Sequence, residues 1–256
     1  MKLLSLNVWG GRDYKDLSRF LERKKSDIDI FCFQETLDYS LGNPDQSAIE
    51  VKALHQPQSF DEVPNLYQKF ESILDGFDGS LSEPYSSGME RLATFTKRSI
   101  DCNTETLPMY GKFWVETNGR QYAISSIMQL SHIKIGNKSY EIANFHGLWQ
   151  NSSKADSPER IIQSQNILRA LSKLQNPVIL CGDFNLLPDT ESIAVLEKSM
   201  KNLIKEYKIT NTRSPLYTKE HRYADYIFVS RDIKVSDFRV LDDTVSDHLP
   251  LLLEFE

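Results

Sequence analysis

Short apolar segments rich in β-branched and aromatic residues recur along the whole chain, and helical patterns separate many of them. The segment 27–33 has the sequence DIDIFCF, which is typical of a buried strand. Between 158 and 174, apolar residues recur at helical spacing after Pro158, a residue that suits a first turn. This alternation predicts a mixed-sheet α/β protein. Because no repeat or linker-like stretch interrupts it, we predict one domain over residues 1–256.

The same patterns define the individual elements. Gly136 and Asn137 separate two strand patterns and predict a hairpin turn. The stretch 38–90 is harder to interpret, because it holds several prolines and glycines. We predict strands at 2–8, 27–33, 92–96, 113–116, 122–135, 140–145, 177–180, 223–229, 233–240 and 249–255, and helices at 13–25, 45–54, 64–75, 158–174 and 190–199.

Polar side chains follow several of the predicted strands at the point where each strand ends. Asn7, Glu35 and His146 each come directly after an apolar run, and Asp183 and Asn185 follow the strand at 177–180. In α/β sheets, ligands bind beyond the carboxyl ends of the strands. If these strands are neighbours, their polar residues meet at one edge. Each residue also has an ordinary explanation, such as an Asx turn at Asp183.

Asp247 and His248 come before their strand instead of after it. An antiparallel strand begins at the edge where its parallel neighbours end, so this pair can join the same cluster. Gathered carboxylates repel one another by about 4 kcal/mol per pair at 4 Å and an effective dielectric constant near 20. A divalent cation would remove that cost, and oxygen ligands suit Mg²⁺ or Mn²⁺ better than Zn²⁺. Two histidines beside the ion offer a general acid and a general base.

The charge balance limits the kinds of partner. The chain has 30 Lys and Arg against 36 Asp and Glu, which gives a net charge of −6 and a pI near 5.5. This balance argues against a tight binder of duplex DNA, although a local basic patch stays open. The N-terminus lacks the apolar middle of a signal peptide, and no apolar run is long enough to span a membrane. We therefore expect a cytoplasmic protein with no membrane partner.

Six short motifs, taken in chain order, match one family. They are LNVWG (6–10), FQE (33–35), NFHG (144–147), GDFNLLPD (182–189), YADYIF (223–228) and SDHLPL (246–251). With these motifs the chain resembles the endonuclease/exonuclease/phosphatase family, which has the deoxyribonuclease I-like fold. The resemblance implies a four-layer α/β/β/α sandwich, in which two mixed β-sheets pack face to face with helices outside. It also implies metal-dependent hydrolysis of phosphate esters.

The resemblance further implies which residues bind the metal. Glu35 and Asn7 are expected to hold the catalytic Mg²⁺, for which Mn²⁺ is a substitute. Asp183 and Asn185 are expected to orient the attacking water and the phosphate, or to hold a second ion. Asp247 is expected to assist at the metal site.

For proton transfer, the resemblance implies that His248 is the general base and that Asp225 orients it. His146 is expected to bind the phosphate or to act as an acid. Glu90 falls where some relatives place the carboxylate partner of that histidine. The two asparagines of the metal site are expected to donate hydrogen bonds to oxygens that gain charge.

Candidate substrate contacts lie in the loops beside these motifs. A Trp next to a basic residue can stack a base and grip a phosphate. The simpler alternatives are a Trp that packs under its own loop and an arginine that stays solvated. The candidate contacts are Trp149, Lys154, Arg160 and Arg213.

The metal site alone does not separate the family's substrates, which are DNA, RNA, nucleotides, inositol phosphates and sphingomyelin. The chain lacks an exposed apolar hairpin and the lysine-rich motifs of inositol phosphatases. We therefore predict a phosphodiesterase or nuclease, with DNA or RNA as a candidate substrate. A small-molecule phosphatase acting on a nucleotide, sugar or inositol phosphate is the alternative, and a non-catalytic metal-containing interaction module is the third. We expect a monomer.

Overall fold

Two mixed six-stranded sheets form the centre of the molecule. The computed structural model describes residues 1–38, 62–83, 85, 90–117, 120–150 and 153–256. Helices pack on the outer face of each sheet, so the fold is the predicted four-layer sandwich. The helix predicted at 45–54 lies outside the described residues. No helix in the described ranges is both long and apolar enough to cross a membrane.

The first sheet joins the two ends of the chain. Its first strand is parallel to the second and antiparallel to the last, as predicted for a last strand that begins at the edge where the first two end. Across the sheet, the order is β11 (Val235–Val240), β12 (Leu251–Phe255), β1 (Lys2–Asn7), β2 (Ile30–Leu37), β4 (Glu90–Lys97) and β3 (Phe77–Leu81).

The second sheet contains the long hairpin of the middle of the chain. The predicted turn at Gly136 and Asn137 joins two of its strands. The register aligns His146 with Asp183 across a parallel pair, and Asp183 with Asp225 across an antiparallel pair. Across the sheet, the order is β5 (Asp101–Thr117), β6 (Arg120–Ile135), β7 (Lys138–His146), β8 (Val178–Asp183), β10 (Asp225–Ser230) and β9 (Met200–Asn202).

The helices cover the outer faces of the sheets because each carries buried apolar residues on one side. Ser157 caps the longest helix by accepting a hydrogen bond at its hydroxyl from the backbone of Arg160. A 3₁₀ turn at Trp9–Gly11 follows β1 directly. The helices are α1 (Tyr14–Lys24), α2 (Leu66–Ile73), α3 (Pro158–Leu171), α4 (Glu191–Glu197) and α5 (Leu203–Glu206).

Alternation along the strands separates the apolar layers. In β1, Leu3 packs in the cluster shared by the two sheets, whereas Leu4 and Leu6 pack with Phe20 of α1 on the outer side. Both faces of the strand are therefore buried. This double burial explains why three of the four residues between Lys2 and Asn7 are leucines.

Polar side chains also meet between the two sheets. Gln34 of β2 donates from Nε2 to Oδ1 of Asn144 on β7, over 2.7 Å. Asn144 in turn donates from Nδ2 to the backbone oxygens of Phe33 and Ala93, at 3.1 and 3.2 Å. All of these groups are buried. The network lies one residue before Glu35 and two residues before His146, so it ties together the strand ends that carry them.

Candidate active site

One oxygen of Asp183 lies at the centre of the polar cluster. Its Oδ2 accepts a hydrogen bond from Nδ2 of Asn7 at 3.1 Å. The same oxygen is 3.5 Å from Nε2 of His248 and 3.7 Å from Nε2 of His146. These residues come from β1, β7, β8 and the segment before β12, so the strand ends of both sheets converge as the sequence predicted. Burial favours a neutral carboxyl, but His248 and the nearby cations hold the pKa of Asp183 well below its ordinary value.

Glu35 occupies the solvent side of this cluster. Its Oε1 accepts from Nδ2 of Asn7 at 3.1 Å and lies 3.9 Å from Nε2 of His146. The side chain of Glu35 is 22% exposed, whereas that of Asp183 is 3% exposed. One amide nitrogen therefore bridges the two carboxylates, and Glu35 is the one that solvent reaches.

His248 and Asp225 form a buried pair. Nδ1 of His248 lies 2.8 and 2.9 Å from the two carboxylate oxygens of Asp225, so the ring proton is on Nδ1 and points at the carboxylate. Thr212 donates to the same carboxylate at 3.0 Å. Burial and Arg213 favour the neutral ring, but the surrounding carboxylates outweigh them and raise the pKa of His248 above its ordinary value. Nε2 is left to face Asp183.

His146 is oriented by a tyrosine, not by the predicted Glu90. The hydroxyl of Tyr85 is 2.7 Å from Nδ1 of His146, and it accepts from the backbone N–H of Glu35 at 3.4 Å. Having accepted that bond, the hydroxyl is free to donate to the ring. Glu90 instead pairs with Tyr85 through the backbone. Burial, and then the negative charge of Glu90, raise the pKa of the Tyr85 hydroxyl well above its ordinary value. Tyr85 lies in a proline-rich stretch, where no sequence signal identified it.

Lys154 reaches the site through Asn185. Its ammonium donates to Oδ1 of Asn185 at 2.5 Å, and the backbone N–H of Asn185 donates to Oδ1 of Asp183 at 2.8 Å. Nδ2 of Asn185 lies 3.3 Å from Nε2 of His146. Burial lowers the pKa of Lys154 to about 8. Lys154 therefore lies beside Asn185 and His146, which the sequence predicts to bind the phosphate.

Arg213 also lies inside the cluster. The sequence was compatible with either a substrate contact or a solvated side chain at this position. Its Nη1 donates to Oδ2 of Asp247 at 3.1 Å and contacts Nε2 of His248. The side chain is 3% exposed. Its guanidinium stacks over the ring of Tyr217 at 4.2 Å. Asp247, predicted to assist at the metal, is thus paired with Arg213 here.

Arg160, predicted to contact substrate, has another role. It is fully buried and donates to the backbone oxygens of Leu148, Ser153 and Ala155, at distances from 2.6 to 3.3 Å. It therefore holds the loop that carries Lys154 instead of facing the cluster. The hydrogen-bond partners of Arg160 are backbone carbonyls, which no side-chain pattern in the sequence reveals. Trp149, in the same loop, is half-buried.

Strained backbone collects at this edge. Among the described residues, the non-glycine residues with positive φ are Trp9, Glu35, Asn185 and Lys208, and the first three lie in or beside the cluster. Such conformations cost about 1–3 kcal/mol each and persist where surrounding structure enforces them. The backbone is thus bent to aim Glu35 and Asn185 at Asp183.

The donor atoms fit a hard divalent cation on the Glu35 side. Asp183, Asp225 and His248 present ligand atoms within 4.8 Å of one another. However, the Asp225 oxygens already accept hydrogen bonds, and His248 uses its ring proton for that pair. Glu35 and Asp183 instead offer carboxylate oxygens, the ligands that Mg²⁺ and Mn²⁺ prefer. Asn7, predicted as a metal ligand, presents its amide nitrogen to both carboxylates, and its Oδ1 accepts from the backbone N–H of Trp9 at 2.9 Å.

Comparison with known proteins assigns the chain to a family. The model of the Endonuclease/Exonuclease/phosphatase family matches residues 4–248. The chain belongs to the endonuclease/exonuclease/phosphatase family. Members of this family hydrolyse phosphate esters, so the protein is a family hydrolase with the acidic and imidazole groups in place. No curated protein sequence matches it.

Solved structures share the fold of this family member over its whole length. A family protein from Bacteroides thetaiotaomicron has a TM-score of 0.74 at 18% identity, covering 100% of this chain and 97% of its own. The mannosyl-6-phosphatase of Bacteroides thetaiotaomicron VPI-5482 has a TM-score of 0.69 at 18% identity, with coverages of 100% and 99%. D. rerio TDP2 complexed with single strand DNA product has a TM-score of 0.70 at 13% identity, with coverages of 100% and 98%.

Proposed function

We propose that the protein is a divalent-cation-dependent hydrolase of phosphate esters, in which water attacks phosphorus in line with the leaving oxygen. The observation that carries the proposal is the position of Asp183 Oδ2, 3.5 Å from His248 Nε2 and 3.1 Å from the amide that also binds Glu35. An ionised carboxylate, an imidazole backed by a second carboxylate and a hard-cation site thus share one small volume. This combination supports hydrolysis better than passive binding.

Asp183 and His248 prepare the water. The ionised carboxylate of Asp183 orients it, and Nε2 of His248 accepts its proton. Asp225 stabilises the imidazolium that forms, because its oxygens already accept the Nδ1 proton. Arg213 contacts the same Nε2 in this structure, so its guanidinium moves aside or shares the site when water binds.

The opposite side of Asp183 serves the phosphate. His146, Asn185 and Lys154 place N–H donors there, and donors fixed in a buried site stabilise oxygens that gain charge in the transition state. Tyr85 holds the ring of His146 in place. Glu35 would hold the cation, with Asp183 beside it, and the amide nitrogen of Asn7 would hold the two carboxylates in place. The cation would supply Lewis-acid polarisation of the ester. We propose Mg²⁺, with Mn²⁺ as a substitute, because the donors are oxygens.

Metal-dependent turnover tests this function directly. We expect hydrolysis of p-nitrophenyl phosphate or bis-p-nitrophenyl phosphate with Mg²⁺ or Mn²⁺ and none with EDTA. Asp183→Asn and His248→Gln should each lower kcat by about 1,000-fold, while the circular dichroism spectrum stays unchanged. Asp75→Asn is the matched control, since that side chain is 78% exposed and far from the cluster in its contacts. Near-normal turnover in both site variants would refute the assignment, and metal binding without turnover would favour the interaction module.

The class of ester stays open at this level. Sequence analysis favoured a phosphodiesterase or nuclease and kept a small-molecule phosphatase as the alternative. The relatives support both, because one is named a mannosyl-6-phosphatase and another is complexed with a DNA product. The charged side chains of this site are what distinguish a diester from a monoester.

A further inference from the structure

Arg213 is a buried cation whose hydrogen-bonding capacity is only partly used. Nη1 meets Asp247 and His248, but Nε has no hydrogen-bond partner among the residues that the structure describes. The side chain is only 3% exposed, so water does not readily take that role. A buried donor without a partner costs free energy, so the Nε edge of the guanidinium can gain a hydrogen bond from a ligand that brings an acceptor.

The guanidinium is held in place before any ligand binds. Its Cζ lies 4.2 Å from the centre of the Tyr217 ring, over the ring face. The backbone of Arg213 forms a bridge with that of His248, and the flanking Ser214 N–H donates to the backbone oxygen of Asp247. The arginine and the proposed base therefore move as one unit. A fixed fork of N–H donors is the geometry that binds two oxygens of a phosphate.

Lys154 places a second cation at the same centre from a different loop. Its ammonium reaches Asn185, which touches His146, whereas Arg213 touches His248. Both cations act on Asp183 electrostatically. The two positive side chains therefore lie on the two histidine sides of one carboxylate. A phosphodiester carries one negative charge over two terminal oxygens, whereas a phosphomonoester carries up to two over three.

We propose that Arg213 binds a terminal phosphate oxygen and makes the site selective for phosphomonoesters. This inference rests on the proposed hydrolase function. The third terminal oxygen of a monoester accepts from the Nε edge of Arg213, while a diester has an ester substituent in its place. Arg213 is then a substrate-binding and specificity-determining residue.

Non-hydrolysed ligands test the binding step apart from turnover. Methylphosphonate, studied where it is a dianion, has three terminal oxygens, and its monomethyl ester has two. Calorimetry with Mg²⁺-loaded full-length protein should show about tenfold tighter binding of methylphosphonate. Arg213→Met should weaken methylphosphonate binding by about 10- to 100-fold, the range of a charged hydrogen-bonded pair, and ester binding by less than about threefold. Arg222→Met, a change at an exposed arginine of the same loop, should alter neither.

Turnover and a conservative variant complete the test. The wild-type protein should prefer p-nitrophenyl phosphate over bis-p-nitrophenyl phosphate in kcat/KM, and Arg213→Met should erase that preference. Arg213→Lys keeps the charge without the fork, so it should retain folding and recover only part of the preference, even if Arg213→Met does not fold. Equal weakening of both ligands, or no weakening, would overturn the inference. So would a wild-type preference for the diester, which leaves the hydrolase proposal standing; absence of metal-dependent turnover on either ester refutes that proposal instead.

Discussion

Replacing Arg160 by Met separates a structural arginine from a substrate contact. The guanidinium donates to three backbone carbonyls, those of Leu148, Ser153 and Ala155. Burial lowers the pKa of Arg160 to about 10, so the group is still charged at neutral pH. Met fills similar space but donates nothing, so three backbone carbonyls lose the side-chain donors that they have in the wild-type protein.

The magnitude follows from two opposing terms. Loss of the partner costs about 3 kcal/mol at the buried carbonyl of Leu148, which loses two N–H donors, and about 1.5 kcal/mol at each part-buried carbonyl of Ser153 and Ala155, about 6 kcal/mol in all. Removing a buried cation recovers part of its desolvation penalty, about 3 kcal/mol. The net loss of unfolding free energy is therefore about 3 kcal/mol. With an m-value near 3 kcal/mol per molar urea, the unfolding midpoint falls by about 1 M.

Urea unfolding measures the loss of stability, and steady-state kinetics measures the effect on turnover. Because the loop carries Lys154, kcat should also fall in Arg160→Met at low urea, where the protein is folded. Arg169→Met is the control on the same helix: Arg169 is exposed, and its midpoint should shift by less than about 0.2 M. If Arg160→Met keeps the wild-type midpoint while KM rises, Arg160 contacts substrate and the structural reasoning is refuted.

Three further predictions concern the charged groups of the site. Asp225→Asn should lower kcat by about 100-fold or more without unfolding the protein, because His248 loses the carboxylate that stabilises its protonated ring; unchanged kcat would contradict this pairing. Glu35→Gln should weaken Mn²⁺ binding, followed by electron paramagnetic resonance, by about 100-fold, and equal affinity would exclude Glu35 as a ligand. In EDTA, the free energy of unfolding should rise from pH 8 towards 10.5. Burial lowers the pKa of Lys154 to about 8 in the folded protein, so between these pH values the unfolded chain binds more protons. Urea midpoints measured across this range should rise less with pH in Lys154→Met.

The convergence of the site could be predicted because strand ends are visible in the sequence. A strand buried on both faces is a mostly apolar run, and the polar residues at its carboxyl end mark the edge of the sheet. Asn7, Glu35, His146 and Asp183 were found in this way, and the order of the last strand followed from the residues before it. The prediction therefore depended on double burial, a feature of the central strands only.

Three of the four edge strands carried no such signal, whereas the fourth, β11, was predicted at 233–240. The first part of β5 alternates exposed and half-buried residues, most of them polar, and includes Pro108. Proline is tolerated there because the strand lies at the edge of its sheet, next to a shift in register. The prediction at 113–116 therefore captured only the end of a 17-residue strand. The short strands β3 and β9, at Phe77–Leu81 and Met200–Asn202, were missed for the same reason.

Tyr85 and Arg160 were beyond sequence reasoning for different causes. The partner of His146 comes from a segment without periodicity, so its proximity depends on the tertiary fold. The partners of Arg160 are backbone carbonyls, which every residue has. A basic residue beside an active-site motif therefore suits a substrate contact and a loop anchor equally well until its burial is known.

The amide pair between the sheets sets the tolerance of the reaction geometry. Apolar layers resist separation but slide easily, because the hydrophobic effect has no direction. The 2.7 Å bond from Gln34 to Asn144 is directional and weakens steeply with a few tenths of an ångström of lateral slip. This bond therefore also fixes the relative positions of Glu35 and His146, which lie one and two residues further along the same strands. Both sheets contribute residues to the proposed site, and the hydrogen bonds that Gln34 and Asn144 make between the sheets keep those residues aligned.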